Sequence, residues 1–216
     1  NLIVATQGRS LWIIDDLSVL HQLYNSSSSS NSTSTSTSRL LKPKDAFRMD
    51  GGSRKGSKSS GTNHPNGIIT YFNLKDFDEK KDTISLTYFD QKGDTIKTFS
   101  TSNTKKDKLE VKKGMNQFVW DMTYEGAEKL DGMILWWASL DGPKAIPGDY
   151  KVSLNVNDDI KTQSFTILAN PRAESTQADM ERQFQFITDV NKTMDVAHKS
   201  IKKIRNIREQ LSAFET

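Results

Sequence analysis

Between Gly67 and Leu168 strand-like runs recur at the spacing of a β-sandwich, some of them alternating clearly with a period of two, and this restricts the chain to layered β-structure more than any other feature it carries. Seven strand-like runs recur there: Ile68–Leu74, Thr83–Phe89, Thr95–Phe99, Met115–Trp120, Met133–Ala138, Tyr150–Val156 and Thr162–Leu168. Tyr150, Val152, Leu154 and Val156 face one way, with Lys151, Ser153 and Asn155 opposite. Ile84, Leu86 and Tyr88 are set off in the same manner from Ser85 and Thr87. One face of each strand therefore belongs in a core, and Phe118 and Trp120 share such a face. Asp90–Asp94, Lys112–Gly114, Ile146–Asp149 and Asn157–Asp159 supply the Gly and Asx chemistry of turns between the runs. Seven strands in about 100 residues predict one immunoglobulin-like β-sandwich. We place it at residues 66–170 of a mainly β chain.

Beyond Pro171 the period lengthens to about 3.5 residues. Met180, Phe184, Ile187, Val190, Met194, Ala197, Ile201, Ile204, Ile207 (or Arg208) and Leu211 form one apolar seam. Ser175 or Thr176 is the expected N-cap, and Asp179 stands three residues past the latter. A long C-terminal α-helix is thus predicted within 171–216, acidic in its first half and basic in its second, the order the helix dipole prefers. The basic end is read as dipole compensation. From about Thr176 to Ser212 such a helix is roughly 55 Å long and outruns a sandwich of this size. Part of the seam (Met194, Ala197, Ile201, Ile204, Ile207 and Leu211) must then find a second helix, and the charge order makes an antiparallel homodimer the expected partner arrangement.

The N-terminal residues 1–24 read as a β-hairpin arm. Leu2–Thr6 and Leu11–Ile14 are apolar on both faces and are separated by Gln7-Gly8-Arg9-Ser10. A ribbon of that kind is unstable alone and is expected to be buried in a larger sheet. Residues 25–38 are only Asn, Ser and Thr, too polar to offset their ordering entropy, and predict a disordered tract. Residues 39–65 carry seven basic side chains against Asp45 and Asp50, a local +5 that exceeds the +3 of the whole chain. With Gly and Ser around them and almost no aromatics, 25–65 reads as a tract and solvated linker, with no nucleic-acid partner. These polar stretches explain the low hydrophobic fraction of 34%.

Other signals exclude function classes. The chain has no Cys, which removes disulfides, thiolate metal sites and thiol catalysis. His21, His64 and His198 lie far apart, so neither a metal site nor a Ser-His-Asp triad is expected, and no cofactor is implied. No apolar run approaches the ~18 residues of a spanning helix, so no membrane partner is expected. Gly51–Ser57 has the glycine spacing of a phosphate loop, but Ser57 stands where Lys is required. Asp15-Asp16 and Asp158-Asp159 are neighbours along the chain rather than a facing catalytic pair, and suit turns or strand ends. Asn25, Asn31 and Asn191 open glycosylation sequons that carry little information. Trp136 and Trp137 stand out, since adjacent strand residues point to opposite sides and one must leave the core. The outward Trp is expected to pack under a neighbouring segment, the 1–24 arm or the helix; an exposed Trp would instead stack well on a sugar ring, which makes the pair the candidate ligand-binding residues. Asn1 is not an initiator residue, and the chain reads as part of a longer one.

Leu2-Ile-Val-Ala-Thr-Gln-Gly-Arg-Ser-Leu-Trp-Ile-Ile-Asp-Asp16 resembles the run that closes the propeller in bacterial sortilin-like, BNR-repeat β-propeller proteins. Leu41–Met49, Asn63–Gly67, Gly114–Asp121, Gly132–Trp136 and Ile146–Tyr150 resemble the segment that follows the propeller. The Gly114-Met-Asn…Trp120-Asp and Pro147-Gly-Asp-Tyr150 pair also resembles the immunoglobulin-like module of the flagellar-hook protein FlgD. Proteins of this kind are commonly labelled glycosyl hydrolases and look exported, to the periplasm or cell surface. The resemblance implies an upstream β-propeller as partner and places any catalytic groups there, so the chain itself is expected to be noncatalytic. Only Arg9 comes near a propeller face, and the Asn/Ser/Thr tract looks like an insertion. The implied role is that of an accessory or interaction region, with a carbohydrate-binding module as the alternative.

Overall fold

The computed structural model describes residues 2–8, 11–14, 16–28, 38–49, 64–79, 81–103 and 107–214. Among them the fold is mainly β, with three sheets and one long C-terminal helix. The chain divides into two compact units: Asn1–Asp121 with Gly148–Leu168, and Met122–Pro147 with Ala169–Thr216.

The first unit holds ten strands, β1 (Leu2–Ala5), β2 (Leu11–Ile14), β3 (Ser38–Leu40), β4 (Ala46–Phe47), β5 (Ile68–Leu74), β6 (Ile84–Phe89), β7 (Thr95–Ser100), β8 (Gly114–Trp120), β9 (Gly148–Val156) and β10 (Asp159–Leu168), and a helix α1 (Ser18–Ser28). One sheet has the order β3-β5-β8 and is antiparallel; the other has the order β4-β10-β9-β6-β7, parallel only at β4–β10. Period-two patterning fixes which face is inside: Ile68, Thr70, Phe72 and Leu74 of β5 are buried, as are Ile84, Leu86 and Tyr88 of β6. The two inner faces meet around aromatic rings. Tyr88 stacks on Trp120 of the opposite sheet at 4.5 Å, and Phe165 packs its edge toward both, at 6.3 and 6.4 Å. The phenol of Tyr88 hydrogen-bonds the Thr70 hydroxyl at 2.8 Å, so two buried polar groups satisfy one another. Burial pushes the Tyr88 pKa up, against the opposing pull of that hydrogen bond.

Six of the seven expected runs are strands; Met133–Ala138 is not. A continuous apolar run carries no period of its own, and the backbone here turns through Met133 N–H to Leu130 O, at 3.2 Å, instead of joining a ladder. The missing edges are filled from the stretch read as linker. Within 25–65, β3 and β4 join the sheets, Leu40 and Leu41 are buried, and the Asp45 carboxylate accepts the Thr166 backbone N–H at 2.8 Å. Nor did the sequence suggest α1, which runs into the Asn/Ser/Thr tract. Asp16 caps it by accepting the Ser18 N–H at 2.9 Å. Gln22 then grips the Lys42 backbone twice, donating to its carbonyl at 3.1 Å and accepting its N–H at 2.8 Å. Residues 29–37 of the tract, the Gly51–Ser57 loop, Arg9 and Asp15 lie outside the described residues.

In the second unit α2 (Gln177–Phe214) has 38 residues. Thr176 is its cap: the Thr176 hydroxyl and N–H both donate to the Asp179 carboxylate, at 2.6 and 3.0 Å, and the Asp179 N–H returns to the hydroxyl at 3.2 Å. These bonds, with the Arg182 guanidinium, lower the Asp179 pKa to about 2. Segment 122–147 lies along the helix. Tyr124 meets Phe184 edge-on at 4.8 Å, Glu128 N–H donates to Asp195 at 2.7 Å, and Glu128 also contacts His198 and Lys202. Arg205 donates to Asp131 O at 3.1 Å and Asn191 to Asp141 O at 3.2 Å. The segment closes on itself through Ala127 N–H to Leu140 O at 2.8 Å. Its two arms approach so closely that a Cβ on Gly126 would collide with Leu140 O, and one on Gly142 with Tyr124 O.

Candidate functional site

The hairpin comes first, because its composition conflicts most with its surroundings. β1 and β2 pair antiparallel with Ile3 opposite Ile13 and Val4 opposite Trp12, and among the described strands they pair only with each other. Gly8 turns the chain at φ +77°. The expectation that this ribbon is buried in a larger sheet does not hold within the chain: Leu2, Ile3, Val4, Leu11, Trp12, Ile13 and Ile14 are all 43–66% exposed, on both faces. Water therefore meets apolar side chains above, below and along two unpaired edges.

Trp136 and Trp137 lie in the loop that replaced the expected strand, and both point to solvent, at 85% and 97% exposure, with Ile134 beside them at 78%. The strand argument allowed only one of them out; a loop frees both. Of the helix residues singled out for pairing, Met194 is half-buried while Ala197, Ile201, Ile204, Ile207 and Leu211 are exposed. Segment 122–147 covers the face marked by buried Asn191 and His198, which Met194 borders and the other five do not. Its polar character follows from what lies against it: the carbonyls of Glu128, Asp131 and Asp141 need donors, which His198, Arg205 and Asn191 provide. Asn191, buried in that contact, is unsuited to carry a glycan. Sequence reasoning passed over Phe186 and Phe214, 69% and 89% exposed; the signal was available in their offset from the seam.

Polar groups gather at one end of the first unit, where an open cleft of about 480 Å³ is lined by Glu79, Asp82, Glu110, Lys81 and Lys108, among others. Asp82 is engaged in closing the loops there. It accepts the Asp78 N–H at 2.8 Å and the Asn157 amide at 3.0 Å, and these two bonds hold its pKa below the ordinary carboxylate value. Asp159 likewise accepts the Ser38 hydroxyl at 3.1 Å and pairs with Lys161 at 2.8 Å. His21 lies on α1, His64 before β5 and His198 on α2, and the described residues contain no group of three or more His, Cys, Asp or Glu able to hold a metal ion. No helix among them is long and apolar enough to cross a membrane. No family model, curated protein or solved structure matches the chain.

Proposed function

We propose that this chain is a noncatalytic accessory and interaction region of an exported BNR-type β-propeller protein, and that its β1–β2 hairpin docks into the propeller as closing strands. The observation that carries the reading is the hairpin: apolar on both faces, exposed on both, and with ladder positions open along its edges. Such a ribbon fits the interior of a layered β-structure and little else. The sequence resemblance of Leu2–Asp16 to a propeller-closing run supports the same partner. The two layers that share the Tyr88–Trp120 core support an immunoglobulin-like, FlgD-like sandwich as the scaffold. Hydrolysis, where the parent protein performs it, belongs on this reading to the propeller, and neither nucleic acid nor membrane enters it. The experiment is a calorimetric titration of the chain into a BNR-type propeller that lacks its last two strands. Saturable binding with the negative heat-capacity change of apolar burial is expected; no binding, or turnover of aryl glycosides by the chain alone, would contradict the proposal.

A second reading has its own observation. Trp136 and Trp137 present two indole rings to solvent, the surface a carbohydrate-binding accessory module uses to stack pyranose rings. A glycan array separates the readings: binding that disappears in Trp136→Ala/Trp137→Ala supports the sugar site, and an empty array removes it.

A further inference from the structure

The geometry points to a second copy of this chain as the occupant of the uncovered face of α2, paired antiparallel and centred near residue 199. This goes beyond the hairpin reading and does not depend on it. Segment 122–147 lies on one side of α2, against Phe184, Asn191, His198 and Arg205. Turned away from it by about a third of the helix circumference, at 100° per residue, runs an apolar stripe through Phe186, Val190, Ala197, Ile201, Ile204 and Leu211, every member exposed. Ile207 and Phe214 widen it toward the helix end. From Phe186 to Leu211 the stripe is about 37 Å long, and its spacing of three and four residues is that of a helix-pairing seam rather than of scattered surface residues.

Charge identifies the occupant and its direction. Asp179, Glu181, Asp189 and Asp195 against Arg182 and Lys192 give the first half of α2, residues 177–197, a net −2. Lys199, Lys202, Lys203, Arg205 and Arg208 against Glu209 give residues 198–214 a net +4. Each half thus complements the other half of a second copy and repels its own kind, so a parallel pair is disfavoured at both ends and an antiparallel pair is favoured at both. The heptad spacing then sets the register: Ala197 with Ile201 forms the central apolar layer, and Ile204 and Leu211 reach the second copy's half-buried Met194 and Ile187, which border its covered face. Arg208 falls in the layer of the second copy's Val190, one residue from that copy's Asp189. This one cation within an apolar seam is matched only in the antiparallel register.

Sedimentation equilibrium on the full chain at tens of micromolar tests the proposal. Twice the 24.4 kDa chain mass is expected, falling to the single mass in Ile201→Asp/Ile204→Asp with helical circular dichroism retained. Arg208→Glu alone weakens the pair at least tenfold, and Asp189→Lys/Arg208→Glu restores it, because the reversed charges meet again. A monomeric native chain overturns the inference. So does a pair that the double reversal does not rescue, or one that dissociates on Ile3→Asp/Ile13→Asp and not on the helix substitutions, which would mark the hairpin as the contact. Should the helix variants lose helicity on becoming monomeric, the charge-reversal pair, on solvent-facing positions, still decides.

Discussion

Replacing Trp120 by Ala is expected to destabilise the first unit by roughly 3–5 kcal/mol, enough to unfold a marginally stable domain. Trp120 is fully buried. Its ring lies flat on Tyr88 at 4.5 Å and takes the edges of Tyr150 and Phe165 at 6.3 and 6.4 Å, so its loss opens a cavity with rings on three sides. Those rings are carried by strands hydrogen-bonded on both flanks, β6 between β7 and β9 and β9 between β10 and β6, which limits how far the site can collapse. Urea denaturation followed by tyrosine fluorescence checks the figure. A shift in stability below about 1 kcal/mol, the range of ordinary surface substitutions, would show that the two sheets do not share this core.

The hairpin predicts the opposite pairing of effects. Ile3→Asp/Ile13→Asp alters two side chains that sit directly opposite each other in the β1–β2 register and are already 62% and 57% exposed. The free chain should lose no more than about 0.5 kcal/mol. Docking should be lost, because each buried Ile is worth ~1.5–3 kcal/mol and a carboxylate in its place would be desolvated without a partner. Together they amount to at least a hundredfold in affinity for the strand-deleted propeller. The calorimetric titration that detects wild-type binding measures this directly; undiminished binding by the variant would place the contact elsewhere on the chain.

How far the sequence disclosed these features depended on whether the local pattern had one competitor or several. β6 and β9 were legible because Ile84–Phe89 and Tyr150–Val156 alternate cleanly, and the alternation is what the core enforces; β5 was legible as a β-branched and aromatic run, Ile68–Leu74, whose burial alternates although its sequence does not. The cap at Thr176 was legible because Asp179 stands at the one spacing that permits reciprocal bonds. Ser38–Leu40 and Ala46–Phe47 were hidden, since two or three residues in a basic, polar stretch carry no period and pair only because β5 and β10 leave an edge open. Helix α1 was hidden for a related reason. It is held by the Gln22 side chain reading the Lys42 backbone and by the Arg39 guanidinium donating to the Gln22 carbonyl at 2.9 Å, tertiary contacts with no sequence signature. Met133–Ala138 misled because hydrophobicity without alternation does not by itself tell a buried strand from an exposed loop. The apolar seam on α2 was legible as a 3.5-residue period, but which part of it the chain covers depended on the donors Asn191, His198 and Arg205, whose role appears only when segment 122–147 is laid beside them.

Amide hydrogen exchange on β1 and β2 tests the docking account most directly, since it reads the ladder of the hairpin itself. In the free chain the amides of Leu2–Ala5 and Leu11–Ile14 should exchange far faster than those of β9, which is flanked by β6 and β10 on both edges. In the presence of the strand-deleted propeller they should become as protected as β9 while the sheet that holds β9 stays unchanged. Hairpin amides already protected like β9 in the free chain, or unprotected in both states, would contradict it.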